Sequence, residues 1–158
     1  MKILKVLFLD FDGVLNAHHA TANRWRGMIG LDPATGERVN RIVRETDCRI
    51  VLSSAWRSSP DWMEAAREQA GLDLNAFIGM TPDERGLTSR GTEIKAWLEE
   101  RFRLSRLCPG GVEECARYAI LDDNSDMLEE QKPNFFQTAW NVGLTDEIAD
   151  KVIAHLNA

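Results

Sequence analysis

The stretch that decides the fold is ILKVLFLDFDGVL, residues 3–15. Its first seven residues are almost all apolar and rich in β-formers, a pattern typical of a strand that is covered on both faces. Asp10 and Asp12 then interrupt the apolar run before it reaches the length of a signal peptide or a membrane span. We therefore predict a buried strand that ends in a polar loop.

Composition sets the broad class of the protein. A chain of 158 residues with 44% hydrophobic residues has material for one buried core, so we expect a single domain over 1–158. A net charge of −6 argues against a non-specific nucleic-acid clamp, although a local basic patch remains compatible with it. The three cysteines lack CxxC spacing, which argues against a disulfide framework and a zinc site. We expect a cytoplasmic protein without a membrane anchor.

Strand and helix patterns alternate along the rest of the chain. Further strands are predicted at 49–52, 77–78, 118–121 and 135–137. Helix start signals lie at Asp32-Pro33, Ser59-Pro60-Asp61, Gly91-Thr92-Glu93 and Thr145-Asp146-Glu147. In the second helix we expect Trp62, Met63 and Ala66 to face inward and Gly71 to end it. The alternation predicts an α/β fold with a parallel sheet and helices on both faces.

Polar side chains follow three of the predicted strands at the point where each strand ends. They are Asp10 and Asp12, Ser53 and Ser54, and Asp122 and Asp123. Ligands bind outside the carboxyl ends of the strands in such a sheet. Each pair alone is a weak signal, but three strands that end in groups suited to one reaction predict a site at this edge.

The chemistry of these residues favours a metal-assisted reaction. Paired carboxylates repel each other unless a cation offsets their charge, and Mg²⁺ prefers carboxylate oxygen. A serine hydroxyl binds a phosphoryl oxygen without adding negative charge, and Arg90 and Lys95 are candidate cations for the same group. The alternatives are ordinary: turn-forming aspartates and serines, Asp126 as a helix cap, and solvated surface charges.

Four segments resemble the motifs of the haloacid dehalogenase (HAD) superfamily, in the right order. They are 9–15, 51–54, 90–94 and 120–123. The resemblance implies a three-layer α/β/α Rossmann-like core, Mg²⁺ as cofactor, and phosphomonoester hydrolysis through an aspartyl-phosphate. About 40 residues separate Asp10 from Ser53, so no large cap domain fits there and only a short flap at roughly 16–32 remains.

The resemblance also implies a role for each matched residue. Asp10 would be the nucleophile and a metal ligand, and Asp12 the acid/base, with its backbone carbonyl on the metal. The phosphate-binding groups would be the Gly13 amide, Ser53, Ser54 and either Arg90 or Lys95. Asp122 and Asp123 would complete the metal site, and which of the two binds the ion directly stays open.

Substrate contacts are predicted from the flap and from the segment after the second strand. Segments 53–57 and 90–94 resemble HAD domains associated with RNA repair proteins, which implies a phosphorylated partner such as a nucleic-acid end. Candidate contacts are Arg24, Trp25, Arg26, Trp56 and Arg57, as stacking planes and phosphate ligands. Packing is the alternative role for the tryptophans and arginines. His18 and His19 are expected to be exposed loop residues.

Other classes of protein remain as rivals. A small-molecule or nucleotide phosphatase would use the same residues. A receiver-type signalling module shares the acidic pocket but places the phosphorylated aspartate after a middle strand. An inactive binding scaffold has no reason to keep Asp10, Asp12 and the 122–123 pair together. A P-loop protein is excluded, because no GxxxxGK[ST] segment is present.

Overall fold

The structure, a computed structural model, describes residues 3–17, 24–25, 28–84, 86–107 and 114–158, with the backbone alone at 24–25, 28, 105–106 and 114–116. The strands of this part are β1 (Ile3–Leu9), β2 (Arg24–Trp25), β3 (Met28–Ile29), β4 (Arg49–Leu52), β5 (Phe77–Met80), β6 (Glu114–Asp122) and β7 (Phe135–Gln137). The helices are α1 (Pro33–Thr46), α2 (Trp62–Glu64), α3 (Arg90–Leu107) and α4 (Asp146–Asn157). Short 3₁₀ helices cover Ala55–Ser58, Leu74–Ala76 and Glu129–Asn134.

The main sheet has five parallel strands in the order β5-β4-β1-β6-β7. From β1 the chain moves outward through β4 to β5, and then crosses back to β6 and β7 on the other side. Right-handed crossovers in opposite directions place their helices on opposite faces. The strand order therefore reverses at β1, and the ends of β1 and its neighbours form the crevice where such folds bind ligands.

Alternate side chains of β1 belong to two different cores. Leu7 and Leu9 pack in the cluster that contains the buried residues of α1 and α4. Val6 and Phe8 pack in a second cluster with Ile94 of α3. The sheet is thus covered on both faces, which confirms the predicted three-layer α/β/α Rossmann-like core. Within the residues that the structure describes, no large cap domain interrupts this core.

Two helix starts were correctly predicted from capping residues. The Asp32 side chain accepts a hydrogen bond from the Ala34 amide at 2.8 Å, with Pro33 as the first residue of α1. Thr145 caps α4 by accepting from the Ile148 amide at 3.3 Å. Both caps satisfy amide groups that have no partner inside the first turn.

The second predicted helix differs from the expectation. It begins as α2 and continues as a π-helix over Ala65–Gln69, so its side chains do not follow the 3.6-residue period used for the prediction. Ala66 is buried, whereas Met63 is 50% exposed, and the prediction that Met63 faces inward is wrong. Gly71, at φ 68°, follows the helix as expected of a stop.

No helix in the described part of the chain is both long and apolar enough to cross a membrane. The prediction of a cytoplasmic location is not tested by this result and stays a prediction. The division of the chain into one domain with a flap at 16–32 likewise stays a prediction, because the structure describes only part of that flap.

Candidate functional site

Three carboxylates meet at the carboxyl edge of the sheet. Asp10 follows β1, Asp122 is the last residue of β6, and Asp123 is next in the chain. Because β1 and β6 pair in parallel register, the Asp10 amide donates to the Leu121 carbonyl at 3.0 Å and the two strands end side by side. One carboxylate oxygen from each aspartate lies within 4.8 Å of the others. This spacing and donor set suit a single hard cation.

The carboxylates at this edge are poorly solvated. Asp10 is 5% exposed and Asp122 is 1% exposed. Burial, together with the charge of Asp122, raises the pKa of Asp10 well above its ordinary value, and Arg90 and a hydrogen bond from Ser54 lower it in part. Burial is also the main cause that raises the pKa of Asp122 to about 7. The cluster is therefore short of positive charge and favours binding of a proton or a cation.

Arg90 is the basic residue that the structure brings to these carboxylates. It is the first residue of α3, and its Nε lies 3.4 Å from Asp122 Oδ2. Its backbone amide donates to Asp126 Oδ2 at 2.9 Å, which fixes the start of the helix. Lys95, the competing candidate, is about half exposed and forms an ion pair with Glu130 at 3.6 Å.

Several buried polar atoms at this edge have no hydrogen-bond partner. The described part of the chain contains five such side-chain atoms, of which three are Ser53 Oγ, Arg90 Nη1 and Asp122 Oδ2. An unsatisfied buried polar atom costs about 1–3 kcal/mol, so such atoms are rare without a reason. Ser53 and Arg90 offer donors for an anion, and Asp122 offers an acceptor for a cation. The residues present therefore fit a divalent metal together with a phosphoryl group.

Gly13 brings the loop after β1 close to Asp123. Its φ is +81°, and a Cβ atom at this position would lie 2.3 Å from Asp123 Oδ2. Its amide donates to Asn16 Oδ1 at 2.9 Å, and its carbonyl accepts from Thr138 Oγ1 at 2.7 Å. The amide expected to contact a phosphoryl group is therefore already engaged by Asn16.

The Asp12 carboxylate is half-buried and held from two sides. Its Oδ1 accepts from Asn16 Nδ2 and from Trp56 Nε1, both at 3.0 Å. Sequence reasoning missed Asn16, because one asparagine in a loop is an ordinary turn residue. Ser54, fully buried, accepts from the Trp56 amide at 3.2 Å and hydrogen-bonds Asp10, so it supports both aspartates.

Trp56 is enclosed by packing, and Arg57 is paired within the protein; an open nucleotide-binding surface was one of their two predicted roles. Trp56 is 3% exposed, and its ring packs on Phe11 with centroids 5.7 Å apart, so no face is left for a base to stack on. The Arg57 side chain is 5% exposed and is bonded to Glu93 and to Thr81 Oγ1. Packing is the role that agrees with the structure for Trp56, whereas Arg57 also lines the cleft beside Arg90, so its contact with a substrate stays a prediction.

The remaining substrate candidates lie wholly or in part outside the described residues. Arg24 and Trp25 form β2, a short strand paired with β3, but only their backbone is described. Arg26, His18 and His19 lie outside the described residues. A cleft of about 360 Å³ opens beside Arg90 and is lined in part by Ser58, Thr88 and Asn124. The cleft provides an approach for a substrate from the α3 side.

Comparison with known proteins agrees with this geometry. A family model described as "HAD domain in Swiss Army Knife RNA repair proteins" matches residues 6–149. The match includes the last four residues of β1, all of β4 and β6, and every carboxylate and hydroxyl of the site. No curated protein matches the chain with significance.

Proposed function

This chain belongs to the family of HAD domains in Swiss Army Knife RNA repair proteins, and we propose that it is a magnesium-dependent phosphomonoesterase that forms an aspartyl-phosphate on Asp10. Membership supports a hydrolase of the phosphatase type at the level of the superfamily, whose members generally use a divalent metal. The observation that carries the proposal is the meeting of Asp10, Asp122 and Asp123 within 4.8 Å, beside Arg90.

The metal ligands would be the carboxylates of Asp10, Asp122 and Asp123, with the Asp12 carbonyl as a further oxygen. Oδ2 of Asp122 supports this assignment, because it is buried without a hydrogen-bond partner and a metal cation would coordinate it. A bound divalent cation would offset the crowded negative charge and polarise a phosphoryl oxygen. Magnesium is chosen over softer metals because every ligand offered is oxygen.

The proposed reaction has two steps. A carboxylate oxygen of Asp10 attacks phosphorus, the bond from phosphorus to the leaving oxygen breaks, and Asp12 gives that oxygen a proton. Asp12 then takes a proton from water as the water oxygen attacks phosphorus, which breaks the bond to Asp10 and releases phosphate. Ser53 and Arg90 would hold the phosphoryl oxygens throughout, since each has a buried polar atom without a partner. We assign Ser54 to positioning Asp10, because its side chain bonds that carboxylate.

The proposed substrate is a macromolecular phosphate such as the end of a nucleic acid. The description of the family as a domain of RNA repair proteins supports this class, and so does the absence of a large cap domain from the described residues. The buried Trp56 removes one of the arguments for it, namely a stacking platform next to the second strand. The alternative is a small-molecule or nucleotide phosphatase with the same chemistry.

The test is a phosphate-release assay with Mg²⁺ and with a chelator. The panel contains p-nitrophenyl phosphate, nucleoside monophosphates, phosphopeptides and oligonucleotides phosphorylated at the 3′ or the 5′ end. Loss of the nucleophile in Asp10→Asn is expected to lower turnover by at least about 10³-fold. Wild-type turnover by Asp10→Asn would refute the mechanism, and equal rates on oligonucleotides and mononucleotides would refute the substrate class. Stable phosphorylation of Asp10 without turnover would favour a signalling module.

A further inference from the structure

We infer that Trp56 and Asn16 are positioning residues. Each donates a hydrogen bond to Oδ1 of Asp12, so the other oxygen, Oδ2, carries the proton that is transferred in the reaction. This inference rests on the proposed function, in which Asp12 is the acid/base. It assigns the two residues a role in the departure of the leaving group, although neither would touch the substrate.

Oδ1 of Asp12 has no room for a proton. Two N–H groups, from Trp56 and from Asn16, donate to it at 3.0 Å each. A carboxylate oxygen that accepts two hydrogen bonds in this way has both of its lone pairs occupied. Among the described residues no donor reaches Oδ2, and Asp12 is half-buried rather than enclosed. Oδ2 is therefore the oxygen that can hold the proton and face the substrate.

Trp56 provides a rigid donor. It lies in the 3₁₀ helix Ala55–Ser58, which follows β4 after the two serines. The ring is 3% exposed and packs against Phe11, the neighbour of Asp12 in the chain. Because this packing prevents the indole from turning, Nε1 stays directed at Asp12 without a further loss of entropy.

Asn16 provides a second donor whose orientation is fixed by its own contacts. Its Oδ1 accepts from the Gly13 amide at 2.9 Å, so its Nδ2 must be the end that faces Asp12. Nδ2 also donates to the Ile29 carbonyl of β3 at 3.2 Å. If the amide were flipped, Nδ2 would face the Gly13 N–H and Oδ1 would face the Asp12 carboxylate. Two donors and two acceptors would then face each other, so only one orientation is compatible with these partners.

The consequence depends on the leaving group. An alkoxide such as a ribose oxygen needs the proton as it departs, whereas p-nitrophenolate is stable enough to leave without one. Loss of a donor to Oδ1 lets the carboxylate rotate and misplaces Oδ2. A misplacement of about 1 Å is enough to slow a reaction by up to about 10²-fold. Esters with alkyl leaving groups should therefore be affected much more than aryl esters.

The experiment compares kcat/KM for a nucleoside monophosphate and for p-nitrophenyl phosphate, since kcat/KM reports the steps up to leaving-group departure. Trp56→Phe keeps the packed ring and removes the N–H donor. We expect about a tenfold loss on the nucleoside monophosphate and less than about a twofold loss on the aryl ester. The matched control is Trp62→Phe, because the Trp62 ring also packs near Phe11, with centroids 6.5 Å apart, and the two donors to Asp12 Oδ1 are Trp56 and Asn16 instead. The control should change both substrates equally.

A second variant guards against loss of the fold. Asn16→Asp keeps the acceptor for the Gly13 amide but replaces the donor to Asp12 by a carboxylate that repels it, so its loss on the alkyl ester should again exceed its loss on the aryl ester. Equal losses on both substrates for the two variants, or no loss, would overturn the inference. Asp12→Asn tests the proposed function separately from the positioning role. If Asp12→Asn shows the selective loss while Trp56→Phe and Asn16→Asp do not, the proposed function stands and the positioning role is wrong. A wild-type protein inactive on both esters and on the end-phosphorylated oligonucleotides would overturn both.

Discussion

Two buried groups of charges include a residue of the first turn of α3, Glu93 in one and Arg90 in the other, and they differ in balance. Arg57 and Glu93 have side chains that are 5% and 6% exposed, and each contacts the other, with Thr81 and Asp83 adding partners to Arg57. In the second group, the carboxylates of Asp10, Asp122 and Asp123 lie close together. Arg90 contributes a cation, with its Nε 3.4 Å from Asp122 Oδ2. The first group is neutralised by the protein itself, while the second depends on something that the protein must bind.

The difference shows that burial of charge does not by itself mark a functional site. A buried ion pair whose members are paired with each other holds the fold in one arrangement, and removal of one partner leaves an unpaired charge. An excess of one sign, together with unsatisfied polar atoms, indicates a ligand. Asp122 has both properties, because its pKa is raised to about 7 and its Oδ2 has no hydrogen-bond partner in the described part of the chain.

Among the changes that test this contrast, the largest effect is expected from removal of Arg90, the cation that the described residues bring to the unbalanced group. Arg90→Gln should lower kcat about 10²–10³-fold, because a donor for the charge on the phosphoryl group is lost. Lys95→Gln is the matched control and should change kcat by less than about twofold, since Lys95 pairs with Glu130 at the surface. Steady-state kinetics on one phosphomonoester measures both variants. A larger loss in Lys95→Gln would reassign the basic residue.

The balanced group should respond in stability rather than in chemistry. Glu93→Gln leaves Arg57 buried with Asp83 3.6 Å away as its remaining counter-charge. We expect the free energy of unfolding to fall by about 3 kcal/mol, as measured by urea denaturation. The exposed pair Lys151–Glu147 serves as control, and Glu147→Gln should change stability by less than about 1 kcal/mol. If Arg57→Met combined with Glu93→Met is less stable than Glu93→Gln, the unpaired charge is not the cause.

Magnesium should stabilise the unbalanced group. At about 100 times its Kd, the ion should raise the free energy of unfolding by about 2.7 kcal/mol. Thermal melting with and without the ion measures this gain, which a chelator should reverse. Asp122→Asn should lose the gain and should be no less stable than the wild type without metal, because it removes one of three crowded charges. A gain of equal size in Asp122→Asn would place the ion elsewhere.

The smallest effect is the change of metal-free stability per pH unit, which is at most about 1.4 kcal/mol for one titrating group. The pKa of Asp122 is about 7 in the folded protein and 3.8 ordinarily, so between these values the folded state binds more protons than the unfolded state. Stability should therefore fall as pH rises from about 4 to 7. Surface groups such as Glu100, whose pKa is lowered by Arg103, act in the opposite direction and reduce the net slope. Urea denaturation of wild type and Asp122→Asn isolates the difference, and identical slopes would contradict it.

The order of elements was predictable because local signals and the global fold agree. The apolar run of β1, the Asp32-Pro33 start of α1 and the Thr145 cap of α4 are all encoded within a few neighbouring residues. The meeting of Asp10 with Asp122 and Asp123 followed from the rule that ligands bind at the carboxyl ends of parallel strands. The roles of these residues in catalysis stay predictions until activity is measured.

Individual side-chain hydrogen bonds between distant segments were not predictable. The bond from Trp56 to Asp12 joins residues 44 apart, and the bond from Arg57 to Glu93 joins residues 36 apart. Nothing in the sequence distinguishes an arginine that will pair with a buried glutamate from one that will bind phosphate. Exposed Met63 was missed for a different reason, since the π-helix changes the period on which the pattern depends.

The close approach of Gly13 to Asp123 has a consequence for ion selectivity. A side chain at residue 13 would displace the Asp123 carboxylate, because a Cβ atom there would lie 2.3 Å from its oxygen. The displaced carboxylate would enlarge the space among the three aspartates. Calcium takes longer bonds to oxygen than magnesium, about 2.3–2.6 Å against 2.0–2.1 Å. At the metal site that we propose, the hydrogen atom of Gly13 in place of a methyl group would therefore favour the smaller ion.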